Sequence, residues 1–237
     1  MVDFTAGLDV PDPAGSSALQ PFAVPAQHND ERNVRFGRLS SRLFDVSIVL
    51  ILLPFILPVG VIVALLILLS DRGPILFAHR RVGSNGRPFY CLKFRTMVPN
   101  CDQHLALHLA ADPLARDEWH QTRKLARDPR VTRLGAWLRK LSLDELPQFL
   151  NVLRGEMSVV GPRPIVEAEV ANYGAHVRYY LAVRPGITGL WQVSGRNKTS
   201  YRRRVVLDRR YVQIRSVALD LGILLRTIPA VLTRTGC

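Results

Sequence analysis

The sequence predicts an α/β, mostly helical protein that is embedded in a membrane through a segment near its N-terminus. Two observations lead to this class: 24 consecutive residues without a charge at 46–69, and a later region where short extended stretches precede longer helical patterns. With 237 residues, the chain is long enough for one sizeable core and short for two. We therefore expect one domain at 73–237, preceded by a tail and a membrane segment.

The first 31 residues contain five acids and no Lys or Arg, and three prolines precede Val24. This composition cannot support a core, so the tail at 1–31 is expected to be disordered. All 32 Lys and Arg and 14 of the 19 acids lie in residues 32–237, so that part has a formal net charge of +18, against +13 for the chain. Such a surface attracts anionic partners: nucleic acid, anionic lipid or a phosphorylated small molecule.

The apolar run lies within a membrane segment at 32–72. As a straight helix, its 24 residues would be about 36 Å long, which exceeds the hydrocarbon core of a bilayer, about 30 Å. Arginines flank it on both sides, a pattern that draws both ends to the cytoplasm: Arg32, Arg35, Arg38 and Arg42 before it, and Arg72, Arg80 and Arg81 after it. Pro54 and Pro58 near its middle disfavour a straight helix. A re-entrant helix–break–helix accounts for both features, and a kinked spanning helix is equally compatible with the residues alone.

A hairpin is expected after the membrane segment. Residues 74–77 and 88–94 read as extended pieces, joined by a Gly83-Ser-Asn-Gly86 turn. Alternation places Lys93 and Arg95 on one face of the second piece, where they could meet phosphate or lipid headgroups. A solvated basic strand is the commoner explanation of such a pair.

An adjacent acid pair, Asp144 and Glu145, follows a basic stretch. The leucine spacing around it predicts helices, with Ser142 as an N-cap. Neighbouring helical residues diverge by about 100°, so the two carboxylates should have different tasks, one as a nucleophile and one as a base or metal ligand. The alternative is that both acids only stabilise a helix start through its dipole.

Two glycine- and proline-rich stretches follow the acid pair. In the first, Gly161, Pro162 and Pro164 hold Arg163 in a stiff turn, which suits bidentate phosphate recognition. The second runs from 184 to 196 and contains three glycines, two hydroxyl residues and Trp191. Its backbone N–H groups could bind phosphate, and the tryptophan could stack on a base or fill the core.

The remaining signals concern partners and compartment. Three cysteines without C-x-x-C spacing favour a reducing cytoplasmic environment without disulfides or a zinc site. The arginine-rich stretch at 202–215 could bind nucleic acid, but it lacks interleaved aromatics and follows a membrane segment, so contact with the membrane surface is favoured. Residues 217–232 are apolar with charged interruptions, which is typical of an interfacial amphipathic helix.

Taken in order, five stretches resemble the bacterial sugar transferases, specifically the monotopic phosphoglycosyl transferases that begin exopolysaccharide assembly. They are Lys93-Phe-Arg-Thr-Met97, Leu143-Asp-Glu-Leu-Pro-Gln148, Ser158-Val-Val-Gly-Pro-Arg-Pro164, Arg184-Pro-Gly-Ile-Thr-Gly189 and Trp191-Gln-Val-Ser-Gly-Arg196. The resemblance runs from about residue 38 to the C-terminus and is strongest to the small galactosyl-type initiators.

This resemblance implies transfer of a hexose phosphate from a UDP-hexose to polyprenyl phosphate, which gives polyprenyl-diphospho-hexose and UMP. Asp144 resembles the nucleophile that forms a covalent phospho-sugar intermediate, and Glu145 the base or positioning group for the lipid phosphate. Mg²⁺ is the implied cofactor, bridging Asp144 and the diphosphate. Galactose is the preferred sugar and glucose the second choice.

The resemblance also assigns the remaining site residues. Those expected near phosphate are Lys93, Arg95, Arg139, Arg163 and Arg184, and those expected near the nucleotide are Gly186, Thr188, Gly189 and Arg196. It implies a re-entrant segment bent at Pro54 or Pro58, although Leu53 and Leu57 stand where many relatives have Ser. The catalytic domain at 73–237 would then face the cytoplasm at the bacterial inner membrane, in contact with its lipids and without nucleic acid; a homodimer is left open.

Two rivals to this interpretation differ in what they predict. A non-catalytic, membrane-anchored basic protein would tolerate the change Asp144→Asn, whereas the enzyme would lose turnover. A transmembrane enzyme would have its N-terminus outside the cell, whereas the re-entrant enzyme keeps the N-terminus in the cytoplasm.

Overall fold

A computed structural model describes residues 31–71, 73–122, 125–195 and 199–232. The mostly helical α/β class is confirmed, and the predicted tail lies outside the described residues except for Glu31, which begins the first helix. The helices are α1 (Glu31–Ser70), α2 (Cys101–Ala111), α3 (Pro113–Thr122), α4 (Arg133–Lys140), α5 (Gln148–Arg154), α6 (Val177–Leu181), α7 (Leu190–Val193), α8 (Tyr201–Ile214) and α9 (Val217–Leu232). The strands are β1 (Leu76–Val82), β2 (Pro88–Phe94), β3 (Ser158–Val160) and β4 (Gly186–Thr188), and 3₁₀ segments lie at Ser84–Gly86, Leu143–Glu145 and Glu167–His176.

Helix α1 contains the apolar run and is the one described helix that is long and apolar enough to cross a membrane. Pro54 and Pro58 both lie inside it, and the helix continues without interruption through both. The predicted break is therefore not confirmed. Around the prolines the helix is exposed on most sides, and Phe55 has 71% of its surface accessible. Such a stretch of bare apolar surface is stable only when lipid or another apolar partner covers it.

Both flanks of this bare stretch pack on the same domain. On one side, Val49 is fully buried in a cluster with Phe89 of β2 and residues of β3. On the other side, Val63 and Ile67 are buried with Phe94 and other residues of a second cluster. Val49 and Val63 are 14 residues apart, about 21 Å along a straight helix, which is shorter than a bilayer core.

Polar contacts fix the first flank of α1. The buried Asp45 carboxylate accepts hydrogen bonds from the Ser158 hydroxyl and the Val159 amide, each at 2.8 Å. The Arg42 guanidinium donates to the carbonyls of Val152 and Leu153 at the end of α5. These bonds join α1 to β3 and to the end of α5, so they hold α1 against the strand that leads into the Arg163 turn.

The predicted hairpin is confirmed, but β1 spans Leu76–Val82 instead of the expected 74–77. Strands β1 and β2 are antiparallel, and their register places Phe77 opposite Lys93 and His79 opposite Cys91. Asn85, with φ of 56°, and Gly86, with φ of 74°, make the tight connection. Lys93 therefore lies near the end of a strand that the register fixes.

The short parallel pair of β3 and β4 corrects one expectation about the 184–196 stretch. Ser158 pairs with Gly186, and Val160 pairs with Thr188. A Cβ on Gly186 would lie 2.1 Å from the Gly161 nitrogen, and one on Gly189 would lie 2.0 Å from the Gly161 oxygen. The expected open loop is wrong for Gly186, Thr188 and Gly189, because these glycines allow two backbones to pack closely.

Helix α9 has an amphipathic form, as the sequence predicted. Val217, Leu221, Leu225 and Ile228 form an exposed apolar stripe at helical spacing, while Ile223 is buried on the opposite side. A stripe of this kind suits the membrane interface. The contact with lipid itself remains a prediction.

Candidate active site

The end of β2 and helix α4 build the base of the site. Thr132 caps α4 by accepting a hydrogen bond from the Gly135 amide at 2.8 Å. A Cβ on Gly135 would lie only 2.0 Å from the Thr96 carbonyl oxygen, so the helix sits directly on the backbone after β2. This close approach lets Arg139 donate from Nε to the Thr96 hydroxyl at 2.9 Å.

The acid pair lies in a 3₁₀ turn between α4 and α5 rather than in the first turn of an α-helix. Ser142 adopts φ of 56° and makes no side-chain capping bond, so its predicted role as an N-cap is wrong. Pro147 then precedes α5, which begins at Gln148. Because the turn changes direction here, Asp144 and Glu145 are presented toward β2 instead of along a helix surface.

Lys93 connects the two carboxylates. Its Nζ lies 2.7 Å from Glu145 Oε1 and 3.7 Å from Asp144 Oδ2. Asp144 is 8% exposed, whereas the Lys93 and Glu145 side chains are about one quarter exposed. The positive charge of the Lys93 ammonium thus offsets the negative charges of two carboxylates, and the Asp144 carboxylate is almost completely buried.

Burial raises the pKa of Asp144 above its ordinary value. The positive charge of Lys93 opposes this rise, the Glu145 carboxylate adds to it, and Arg139 opposes it. A poorly hydrated carboxylate is a stronger nucleophile than a fully hydrated one, since less water must be removed before it attacks. Lys93 and Arg139 favour the ionised form that this role requires.

Replacing Lys93 by Met should move the acidic limb of the rate profile to higher pH. The resemblance makes Asp144 the nucleophile, a role that needs its ionised form, so we expect activity to fall as the pH drops through its pKa. Loss of the Lys93 charge raises that pKa. We also expect turnover at neutral pH to fall at least about tenfold. The measurement is kcat against pH for the UMP release that the resemblance implies, with the exposed Lys140→Met as control. An acidic limb that does not move would contradict this role for Lys93.

Arg163 lies close enough to β2 for its charge to act on a side chain of that strand, as do the charges of Lys93 and Glu145. All three charges act on the buried Cys91 thiol of β2: burial raises the pKa of Cys91, Lys93 and Arg163 lower it, and Glu145 raises it. Arg163 is half-buried in the turn after β3. The structure thus places Lys93 and Arg139 beside the acid pair, with Arg163 close to the same strand.

Other predicted site residues lie elsewhere. Arg95 does not share the Lys93 site: its guanidinium makes a two-pronged ion pair with Asp71 just after α1 and donates to the Pro74 carbonyl. Arg184 lies close enough to Asp45 for their charges to interact, on the side where α1 packs. The expectation that Lys93 and Arg95 form one phosphate-binding surface is therefore wrong.

The described residues that the resemblance assigns to the nucleotide lie in or next to strand β4, not in an extended loop. The Gly186 amide donates to the Pro162 carbonyl at 2.8 Å, and the Thr188 and Thr227 hydroxyls lie 2.8 Å apart. Trp191 is buried and its indole N–H donates to Thr199, so it fills the core. Arg196 lies outside the described residues. A nucleotide role for these residues stays a prediction.

Sequence reasoning missed three residues around the Arg163 turn: Arg81, Glu169 and Arg204. Arg81 counted only as a charge beside the membrane segment, and Arg204 only as part of a basic run. Their contacts join positions 35 to 88 residues apart, which no local pattern reveals. The spacing of Arg204 and Asp208, which form an i,i+4 pair, was the one available signal.

The acid pair fits a magnesium ion that is shared with substrate. Among the described residues, no group of three or more His, Cys, Asp or Glu side chains forms a metal centre. Mg²⁺ does not need one, because it is often held by one or two carboxylates, substrate phosphates and water. Asp144 is the carboxylate that would hold it.

The sequence comparisons identify the family of this chain. A family model described as bacterial sugar transferase matches residues 27–234, which is most of the chain. The chain belongs to the bacterial sugar transferase family. It is therefore a transferase, and the non-catalytic alternative is rejected.

Relatives of this sugar transferase have informative names. The exopolysaccharide production protein ExoY of Sinorhizobium fredii is 50% identical over 94% of this chain and 98% of the relative. An undecaprenyl-phosphate galactose phosphotransferase of Salmonella typhimurium is 46% identical over 85% of this chain and 42% of that protein. A UDP-glucose:undecaprenyl-phosphate glucose-1-phosphate transferase of Caulobacter vibrioides is 42% identical over 82% of this chain and 70% of that protein.

Proposed function

We propose that this transferase moves hexose 1-phosphate from a UDP-hexose to polyprenyl phosphate, giving polyprenyl-diphospho-hexose and UMP as the first membrane step of exopolysaccharide assembly. The observation that carries the proposal is the Lys93–Asp144–Glu145 arrangement, with Arg139 close enough for its charge to act on Asp144. Two relatives are named for an undecaprenyl-phosphate acceptor, and a third for exopolysaccharide production.

In the first step, an oxygen of the Asp144 carboxylate bonds to the sugar-linked phosphorus of the donor. The bond from that phosphorus to the bridging oxygen breaks, and UMP leaves with the bridging oxygen and the electron pair. The protein then carries an aspartyl phospho-hexose. The near-complete burial of Asp144 supports this role, because the carboxylate has little hydration to lose.

In the second step, an oxygen of polyprenyl phosphate bonds to the same phosphorus. The acyl phosphate bond breaks, Asp144 returns to a carboxylate, and the lipid carries the diphospho-hexose. Glu145 accepts any proton that the attacking phosphate loses, and Lys93, 2.7 Å away, holds it in place. Adjacent carboxylates with unequal exposure thus have separate tasks.

Charge compensation is the main electrostatic requirement, because an anionic nucleophile meets an anionic diphosphate. Lys93, Arg139 and Arg163 supply fixed positive charge on this chain. When bound, Mg²⁺ would add Lewis-acid stabilisation of the diphosphate, with Asp144 as its protein ligand.

We also propose a re-entrant α1 at the cytoplasmic face of the inner membrane. Val49 and Val63 are buried on one domain, while the residues between them are bare and apolar. A spanning helix would place its two ends on opposite sides of the bilayer, and one domain cannot pack on both. A cysteine introduced at Ser16 should resist an impermeant maleimide in intact cells; labelling from outside would support the spanning rival.

The donor sugar is proposed as galactose, with glucose as the alternative, since relatives are named for each sugar. The test is UMP release by the purified chain with polyprenyl phosphate and Mg²⁺, supplied separately with UDP-galactose and UDP-glucose. We expect release with UDP-galactose to exceed that with UDP-glucose. Faster release with UDP-glucose would make glucose the donor sugar instead of galactose. No release with any UDP-hexose would contradict the proposed reaction.

A further inference from the structure

Two arginines from distant parts of the chain hold the backbone of the Arg163 turn. Arg204 on α8 donates from Nη2 to the Arg163 carbonyl oxygen at 3.1 Å. Arg81 on β1 donates from Nη1 to the Pro164 carbonyl oxygen at 3.4 Å. The two successive carbonyls of this turn are therefore both bound by guanidinium groups.

Glu169 joins these two arginines. Its Oε1 lies 3.4 Å from Arg204 Nη1, and its Oε2 lies 3.8 Å from Arg81 Nη1. The same Oε2 accepts a hydrogen bond from the Val166 amide at 3.0 Å. One carboxylate thus connects β1, α8 and the chain that leaves the turn.

Arg204 cannot relax toward solvent. Its surface is only 6% exposed. The guanidinium carbon Cζ lies 4.9 Å from the centroid of the Trp191 ring and 5.1 Å from the centroid of the Tyr201 ring. Behind it, the Asp208 carboxylate lies 3.7 Å from its Nε and accepts a hydrogen bond from the Tyr173 hydroxyl at 2.7 Å. A guanidinium enclosed in this way is a rigid donor.

We propose that Glu169 is a positioning residue for Arg163 and acts through Arg81 and Arg204. This inference rests on the proposed function, in which Arg163 meets the phosphates of the donor. The flanking prolines limit the backbone of the turn, and the two guanidinium groups fix where that backbone lies relative to β1. Glu169 also supplies negative charge beside Arg81, which is close enough to Arg163 for their charges to repel.

The test is a double-mutant cycle with Glu169→Gln, Arg163→Ala and the combined variant. Gln keeps an acceptor for the Val166 amide but removes the charge that attracts both arginines. We expect Glu169→Gln alone to raise the KM for UDP-hexose about tenfold, with a smaller change in kcat and little change in Tm. In the Arg163→Ala background, the same change should have almost no further effect.

The matched control is Glu167→Gln, which makes the same chemical change at an exposed position of the same 3₁₀ segment and should leave KM unchanged. Equal losses from Glu169→Gln in both backgrounds would overturn the inference, because a purely structural role acts whether or not Arg163 is present. The Kd for UDP, measured by calorimetry on the same variants, gives a second test. A loss of affinity from Glu169→Gln that is equal with and without Arg163 would also overturn the inference. If the native chain releases no UMP with any donor, the proposed reaction fails, and the binding cycle still decides the role of Glu169.

Discussion

Replacing Asp144 by Asn should reduce UMP release by about 10⁴-fold or more. Asn keeps the shape of the side chain but has no carboxylate to bond to phosphorus. Because Asp144 is buried beside Lys93, no other described carboxylate lies in an equivalent position except Glu145, whose Oε1 is already paired with the same lysine. The loss should therefore exceed that from any change in the surrounding cations.

The intact mass of the protein, measured before the lipid is added, tests whether Asp144 forms the covalent intermediate. The native chain should gain the mass of one phospho-hexose in the presence of donor and lose it when polyprenyl phosphate is supplied. The Asp144→Asn variant should show neither change, whereas Asp117→Asn, at an exposed position on α3, should behave as native. Turnover by the native chain without any adduct would indicate direct transfer and refute the covalent step.

Replacing Gly135 by Ala should lower the free energy of unfolding by at least about 3 kcal/mol and abolish most activity. The new Cβ would lie 2.0 Å from the Thr96 oxygen, 2.7 Å from its carbonyl carbon and 2.8 Å from its Cα. All three are backbone atoms, so no side chain can rotate away. Helix α4 would have to move off the backbone that follows β2 and would take Arg139 away from Thr96 and the acid pair.

Gly222→Ala on α9 is the matched control, since it makes the same change in another helix. No atom lies within 4 Å of its added Cβ, so this variant should keep full activity and gain about 0.5 to 1 kcal/mol, because Ala is the better helix former. The measurement is thermal unfolding of both variants in the same nanodiscs, together with UMP release. A Gly135→Ala protein with native Tm and activity would show that α4 can be displaced freely.

Several features of this protein follow from the residues alone. The charge-free stretch at 46–69 requires an apolar environment wherever it lies, because burial of apolar surface is not directional. The hairpin followed from turn residues between two extended pieces, and the catalytic candidates Asp144, Glu145 and Arg163 stood in contiguous motifs. Features of this kind depend on neighbours in sequence, so the order of residues is sufficient to predict them.

The tertiary structure decided which charges act together. Lys93 and Arg95 are two residues apart, yet one meets the acid pair and the other pairs with Asp71. Gly186 and Gly189 had the composition of a phosphate loop, but another backbone occupies the space where their side chains would be. Sequence spacing cannot separate these outcomes, because electrostatic and steric contacts depend on distance in space, and the partners lie from 24 to more than 50 residues away along the chain.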